Sequence, residues 1–183
     1  MIRIGILGAA RIAPRGIVTP ANALLGAEVV AIAARNLERA QDFAAQHSIP
    51  MAFGSYAELI ERDDIDLVYV ALPPSAHLEW CTAAVQNGKH VLVEKPFASN
   101  SRDAERMVAA ARAAGRHLLE GFHYRFHPLF EKALSALKNG EIGKIRRIEA
   151  VFNANLPDTP GELRYIEALD GGALMDLGCY CMH

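Results

Sequence analysis

The sequence predicts an α/β fold: a doubly wound parallel sheet over the first two-thirds of the chain, followed by the start of a second, open-sheet α/β domain. Three observations carry this. Short apolar runs alternate with helix-period runs as far as Glu120, the pattern of successive βαβ units. Several of those runs are almost continuously hydrophobic, as strands covered by helices on both faces must be. Beyond Glu120 the rhythm breaks, and Gly121–His127 is dense in aromatic residues and histidines.

The elements follow in order. Strands are expected at Ile2–Leu7, Val29–Ala34, Met51–Phe53, Leu67–Leu72, His90–Val93 and His117–Glu120. Between them lie helices with suitable first residues: Asn36 before Leu37–Gln46, Ser55 before Tyr56–Glu61, Ser75 before Ala76–Asn87, and Asn100 or Ser101 before Arg102–Ala114. Gly88 and Gly115 stand where left-handed caps end helices. Pro128–Lys138 reads as a further helix stopped by Asn139-Gly140. Ile145–Asn153 alternates like a strand, with Ile148, Ala150 and Phe152 on one face. Gly171–Met182 is a short helical pattern behind a Gly-Gly pair. A boundary near 121–125 divides residues 1–122 from 123–183.

Composition narrows the classes. The chain has 183 residues, room for one domain and part of another at roughly 100–200 residues each. Its formal net charge of −2 is not the basic footprint of a non-specific nucleic-acid binder. Hydrophobic residues at 51% and charged residues at 22% are globular proportions and argue against disorder. Three cysteines imply no disulfide framework and fit a reducing, cytoplasmic compartment. The first apolar run begins at Ile2 with no basic region before it, and the apolar stretches are strand-length. Neither a secretory leader nor a membrane span is expected.

The first strand runs into Gly8-Ala9-Ala10-Arg11-Ile12-Ala13. In a dinucleotide turn the first glycine makes the bend, the second admits the pyrophosphate, and the third lets helix and strand pack closely. Here Ala10 and Ala13 occupy the second and third places. Alone, the segment fits a phosphate cradle or an ordinary βα turn of small residues equally well. The second strand then ends at Ala33-Ala34-Arg35-Asn36. An NAD site wants a carboxylate at that end; Glu28 lies at the strand's start instead. Arg35 suits a 2′-phosphate by charge and by its planar fork of donors. NADP is therefore favoured, with NAD possible.

The fifth strand delivers Glu94-Lys95-Pro96 at its carboxyl end, where open α/β sheets bind ligands. Lys95 either tunes chemistry in that crevice or merely pairs with Glu94. Asp176 and Tyr180 lie four apart and share a helix face. A phenol near a lysine ammonium has its deprotonated form favoured, which suits an acid/base near neutral pH; Tyr180 as a packing residue is the alternative. Cys179, Cys181 and His183 lack the paired ligands of a structural zinc, so no metal is expected. His123 and His127 either line the substrate site or cap an aromatic cluster, with the second preferred. Trp80, Cys81 and the Arg146-Arg147 pair read as packing and solvated surface.

Six segments in order resemble the Gfo/Idh/MocA oxidoreductases. They are Ile4–Ala13, the strand ending in Arg35, Val68–Pro74 with His77 beyond, Gly88–Pro96, Glu120–Pro128 and Gly171–Tyr180. The resemblance implies a Rossmann domain followed by an open-sheet α/β domain carrying substrate and subunit contacts. It implies Lys95 as the catalytic lysine, Asp176 as the substrate-positioning aspartate, and Tyr180 at a place where many members carry histidine. That tyrosine resembles the dihydrodiol dehydrogenase, NADP-dependent xylose dehydrogenase and glucose–fructose oxidoreductase branch. Cofactor contacts are implied for Gly8, Ala9, Ala10, Arg11, Ile12, Arg35, Leu72, Pro73, His77, Glu94 and Lys95. Ala10 for a glycine and Ala34 for a serine are departures that bear on cofactor affinity.

The expected function is hydride transfer between NADP and a CH–OH group of a sugar or cyclic trans-diol. The expected partners are that small molecule and further copies of the chain meeting through the second-domain sheet, not nucleic acid or a membrane. A nucleotide-binding module without catalysis would need Gly8 and Arg35 but neither Lys95 nor Tyr180. A tightly held cofactor cycling between two sugars would differ only in NADP release. Residues 123–183 supply one good strand, and a lone strand is not stable. The expectation is therefore an incomplete chain, or one that borrows strands, with weak or no activity by itself.

Overall fold

The computed structural model of the protein describes residues 1–157 and 159–183. Six parallel strands form one sheet: β1 (Ile2–Leu7), β2 (Ala27–Ala33), β3 (Met51–Phe53), β4 (Leu67–Val70), β5 (His90–Val93) and β6 (Leu118–Glu120). Their order is β3-β2-β1-β4-β5-β6, the doubly wound arrangement whose direction reverses between β1 and β4. The register pairs Leu7 with Ala33 on one side and with Val70 on the other. The carboxyl ends of the three strands are thus level at the switch point, where the crevice opens.

Alternation along each strand divides two cores. Leu7, Ala33, Val68, Val70, Val91 and Val93 face Leu59, Cys81, Val85 and Met107 on one side. Ile4, Ile6, Ile32 and Tyr69 face Val18, Ala21 and Ala44 on the other. Val18 ends the turn Pro14–Val18, and the helices supplying the others are α1 (Thr19–Ala23), α2 (Leu37–His47), α3 (Tyr56–Ile60), α4 (His77–Gln86) and α5 (Ser101–Ala114). Asn36 caps α2 by accepting from the Arg39 N–H, and Asn100 caps α5 by accepting from the Asp103 N–H. Gly115 closes α5 at φ +62°, a left-handed cap of the kind glycine favours.

The helix after β1 opens with a π-turn, Pro14–Val18, in which the Thr19 N–H donates to the Pro14 carbonyl. Pro20 explains it: with no N–H to give to the carbonyl four residues back, it cannot continue α-register hydrogen bonding.

Three expectations are corrected. Ser75 does not cap α4; it lies in a short turn, Pro74–Ala76, and the helix starts at His77, because successive prolines hold Pro73 extended. Strand β4 ends at Val70 rather than Leu72, where the chain turns toward those prolines. Ile145–Asn153 forms no strand, and each of its residues is exposed. Its alternation is real, but without a neighbouring edge its N–H and C=O groups remain on water.

Past β6 come α6 (Pro128–Lys138), short turns at Leu163–Tyr165 and Glu167–Leu169, a π-turn at Leu174–Gly178, and α7 (Cys179–Met182). Among the described residues from 123 to 183, the one buried residue is a carboxylate, Glu162. No helix among the described residues is long and apolar enough to cross a membrane.

Candidate active site

The turn after β1 closes tightly. Gly8 has φ +99°, and a Cβ there would stand 2.6 Å from the Ala71 carbonyl oxygen, so only glycine fits. The backbone at Gly8–Ala10 is left free to approach a ligand at the start of the following helix, which suits a pyrophosphate. Ala9, Ala10 and Ile12 are half-buried, and Arg11 is exposed.

Arg35 is exposed just past β2. It faces Tyr56, whose phenol is raised by burial and drawn back down by Arg35 and Arg39. Arg39 on α2 also donates to the Ala9 carbonyl at 3.0 Å. Two guanidinium groups therefore flank the end of β2, one of them fixed to the phosphate turn. Sequence reading named Arg35 and missed Arg39, whose position one helical turn beyond Arg35 was the available signal.

The Glu94–Phe97 turn is anchored from three sides. His77 is fully buried, with Nε2 2.9 Å from the Leu72 carbonyl and Nδ1 3.0 Å from the Pro96 carbonyl. Burial lowers its pKa, so the ring is neutral near pH 7 and donates from one nitrogen only. His77, for which the resemblance implies a cofactor contact, is fully buried and joins the loops that follow β4 and β5. Tyr69, buried under the sheet, hydrogen-bonds Glu94. Glu120 accepts from the Phe97 N–H at 2.7 Å, and burial raises its own pKa.

Lys95 projects from this turn into contact with the chain's last helical segment. Its Nζ donates to Asp176 Oδ1 at 2.8 Å and to the Asp176 carbonyl at 2.6 Å, and lies 5.4 Å from the centre of the Tyr180 ring. The three residues expected to act together are therefore adjacent. Tyr180 packs edge-on against Phe122 and Phe152 and lies beside Tyr124. One expectation is reversed: the Tyr180 hydroxyl is pushed up to about 12, by burial first and then by the Glu94 charge. The lysine ammonium sits over the ring face while the phenol meets desolvation and carboxylates, so the protonated phenol is favoured.

Glu162 and Arg164 were not singled out in the sequence. Arg164 donates to Glu162 Oε1 from Nε at 2.8 Å and to Oε2 from Nη2 at 2.9 Å. Its Nη1 stands 3.8 Å from Asp176 Oδ2, an atom that is buried without a hydrogen bond. Arg11 donates to Glu162 Oε2 at 3.0 Å. The Glu162–Arg164 pair is local, but nothing in the sequence betrays the pairing of Arg11 with Glu162, 151 positions away. His127 caps α6 through the Leu129 N–H, and His123 lies near Tyr180. Among the described residues no group of three or more His, Cys, Asp or Glu side chains is arranged to hold a metal.

A doubly wound sheet with a tight glycine turn at its switch point is a Rossmann-type, dinucleotide-binding architecture. Residues 2–122 match the model of the oxidoreductase family with NAD-binding Rossmann fold, and residues 130–183 match the Gfo/Idh/MocA C-terminal domain. The chain belongs to the Gfo/Idh/MocA family. It is 41% identical over 155 residues to a trans-1,2-dihydrobenzene-1,2-diol dehydrogenase of Xenopus tropicalis, covering 85% of this chain and 46% of that protein. It is 39% identical over 178 residues to a D-xylose 1-dehydrogenase (NADP(+)) of Haloferax volcanii, covering 97% and 54%. Among solved structures, a 3-ketoreductase from Actinomadura kijaniata in complex with NADP and TDP-benzene superposes with a TM-score of 0.86 at 39% identity, over 98% of this chain and 55% of that one. The chain spans about half the length of the relatives it matches.

Proposed function

We propose that this chain carries the cofactor site and catalytic residues of an NADP-dependent oxidoreductase that interconverts a carbonyl and a CH–OH group on a sugar or cyclic trans-diol. The observation that carries this reading is Lys95 at the end of β5, bonded to Asp176 and set against the Tyr180 ring. The names of the diol, xylose and keto-sugar relatives support the substrate class, and two of them support NADP.

The residues present fit the cofactor. Gly8 leaves backbone space for the pyrophosphate, and Arg35 with Arg39 offers two forks to a 2′-phosphate. Bound nicotinamide supplies or accepts the hydride. The chain's own part is to orient the substrate and move a proton. Tyr180, protonated through neutral pH, donates its hydroxyl proton to the oxygen of a carbonyl as that carbon gains hydride. The Lys95 ammonium, steadied by Asp176, offers positive charge and further donors to the same oxygen. Run backwards, the deprotonated Tyr180 oxygen takes the hydroxyl proton, and the same site serves both directions.

Titration calorimetry with NADP and NAD tests the cofactor reading. A charge-assisted fork contributes about 1.5–3 kcal/mol, so NADP should bind roughly tenfold to a hundredfold tighter. Arg35→Ala should erase most of that gap, and equal wild-type affinities would refute it. Turnover on aldoses and cyclic trans-diols, followed at the NADPH absorbance in a protein extended to the length of the relatives, tests the chemistry. Lys95→Ala should abolish it with NADP binding intact; wild-type turnover in that variant would refute the role.

A further inference from the structure

The second region buries almost nothing except Glu162, whose side chain is 4% exposed. That carboxylate holds two arginines, Arg164 by a two-point fork and Arg11 by one hydrogen bond. Arg164 in turn faces Asp176, and Asp176 receives Lys95. The charges alternate along the row Arg11–Glu162–Arg164–Asp176–Lys95, which runs from the turn after β1 to the end of β5. Both carboxylates are well covered, whereas the Arg11 side chain is 82% exposed. Arg164 is partly exposed and Lys95 is as covered as Asp176, so the open cation of the row is Arg11, at the turn after β1.

Its two ends lie at the turn after β1 and at the end of β5, on either side of the switch point. In a doubly wound sheet the pyrophosphate lies at the helix N-terminus after β1, and the reactive ring reaches the strand ends across the switch point. We propose that Glu162 is a positioning residue for the bound cofactor, holding Arg11 and Arg164 beside its pyrophosphate–nicotinamide half and so slowing release. This rests on the NADP reading above. Arg11 is a long side chain with many rotamers, and the Glu162 carboxylate is what fixes it; an arginine ordered beforehand loses less freedom when an anion arrives.

Charge and position predict opposite outcomes, which makes the proposal testable. Removing a carboxylate near a pyrophosphate by charge alone would tighten binding. Losing the fixed arginines would loosen it. The experiment follows NADPH dissociation from the 183-residue chain by stopped-flow fluorescence, alongside equilibrium binding of 2′,5′-ADP, which carries only the adenosine half. Glu162→Gln should release NADPH about tenfold faster, the scale of one charge-assisted contact, with 2′,5′-ADP affinity unchanged. Glu162→Asp keeps the charge but shortens the reach, and should release NADPH several-fold faster; it also serves if the Gln variant does not fold. Unchanged or slower NADPH release in the folded variants overturns the proposal, as does an equal weakening of 2′,5′-ADP. Wild-type protein that binds neither ligand overturns the NADP reading itself, a result distinct from the other two.

Discussion

Residues 1–122 and residues 123–183 hold themselves together by different means. The first region has two apolar cores on the two faces of a six-stranded open sheet, with Ile6, Leu7, Ile32, Val68, Tyr69 and Met107 fully buried. The second leaves Leu129, Ile142, Ile148, Val151, Phe152, Leu163 and Met182 exposed and is fastened to the first mainly by polar contacts, Arg11–Glu162, Lys95–Asp176 and Ser99–Asp170, together with the packing of Tyr180 and His183 on Phe122. Apolar burial is non-directional and additive over area, so it can hold a fold alone. Ion pairs of this kind fix geometry far more than they supply stability. The first region is a scaffold, and the second is a set of side chains held over its crevice.

The largest effect that could break this contrast is a core truncation. Ile6→Ala removes a fully buried side chain from the second strand-face core and should destabilise by about 2–5 kcal/mol. Ile148→Ala, at a position 80% exposed, should change stability by no more than about 0.5 kcal/mol. Urea denaturation of the two variants measures both. A comparable loss at Ile148 would mean that the second region has a core of its own.

What was legible in the sequence follows the same division. The strands of the first region were read to within two residues, β2 beginning at Ala27 rather than Val29 and β4 ending at Val70 rather than Leu72, because buried parallel strands are continuous apolar runs and their turns carry glycine, proline and capping side chains. Lys95, Asp176 and Tyr180 were also legible, through resemblance and through helical spacing. The ionisation of Tyr180 was not: it depends on which part of the residue Lys95 meets and on burial by Phe122 and Phe152. The alternation of Ile145–Asn153 was a true pattern lacking the strand edge that would make it a strand. Glu162 and Arg164 were not singled out at all, because partners such as Arg11 and Asp176 are brought near only by the fold.

A second test uses the glycine that shapes the turn. Gly8→Ala places a Cβ against the Ala71 carbonyl at positive φ, where side-chain-bearing residues cost about 1–3 kcal/mol. Nucleotide affinity should fall with stability, since the cradle is the strained element. Calorimetric titration and thermal melting of the same sample read both, and intact binding would place the phosphates elsewhere.

Acid separates the two regions in a different way. His77 is held neutral by burial, its folded pKa lying below the unfolded value of about 6.5. The unfolded state then takes up the proton first, so this contribution is complete above that value and is lost as pH falls through it. Glu162 is lowered to about 2, chiefly by the Arg164 fork and then further by Arg11. Its contribution is present above about 4.5 and fades only toward pH 2. Urea midpoints should therefore drop between pH 7 and 5.5 in wild type and less steeply in His77→Gln, while Glu162→Gln leaves that slope unchanged. A slope that follows Glu162 instead would put the acid-sensitive contact in the wrong region.

The smallest contrast lies between two helix caps of the same kind. Asn100 accepts from the Asp103 N–H at the start of α5, a 14-residue helix that buries Met107 and Ala111. His127 accepts from the Leu129 N–H at the start of α6, an 11-residue helix with no buried residue. Either loss frees one backbone donor, worth about 1 kcal/mol to the helix concerned. Cost to the helix becomes cost to the protein only where the helix is coupled to the cooperative core. Asn100→Ala should lower global stability by about 1 kcal/mol, whereas His127→Ala should leave the urea midpoint in place and instead speed amide exchange within α6. Hydrogen exchange on both variants distinguishes the cases. A fall in global stability for His127→Ala equal to that for Asn100→Ala would show α6 to be part of the same cooperative unit as the sheet.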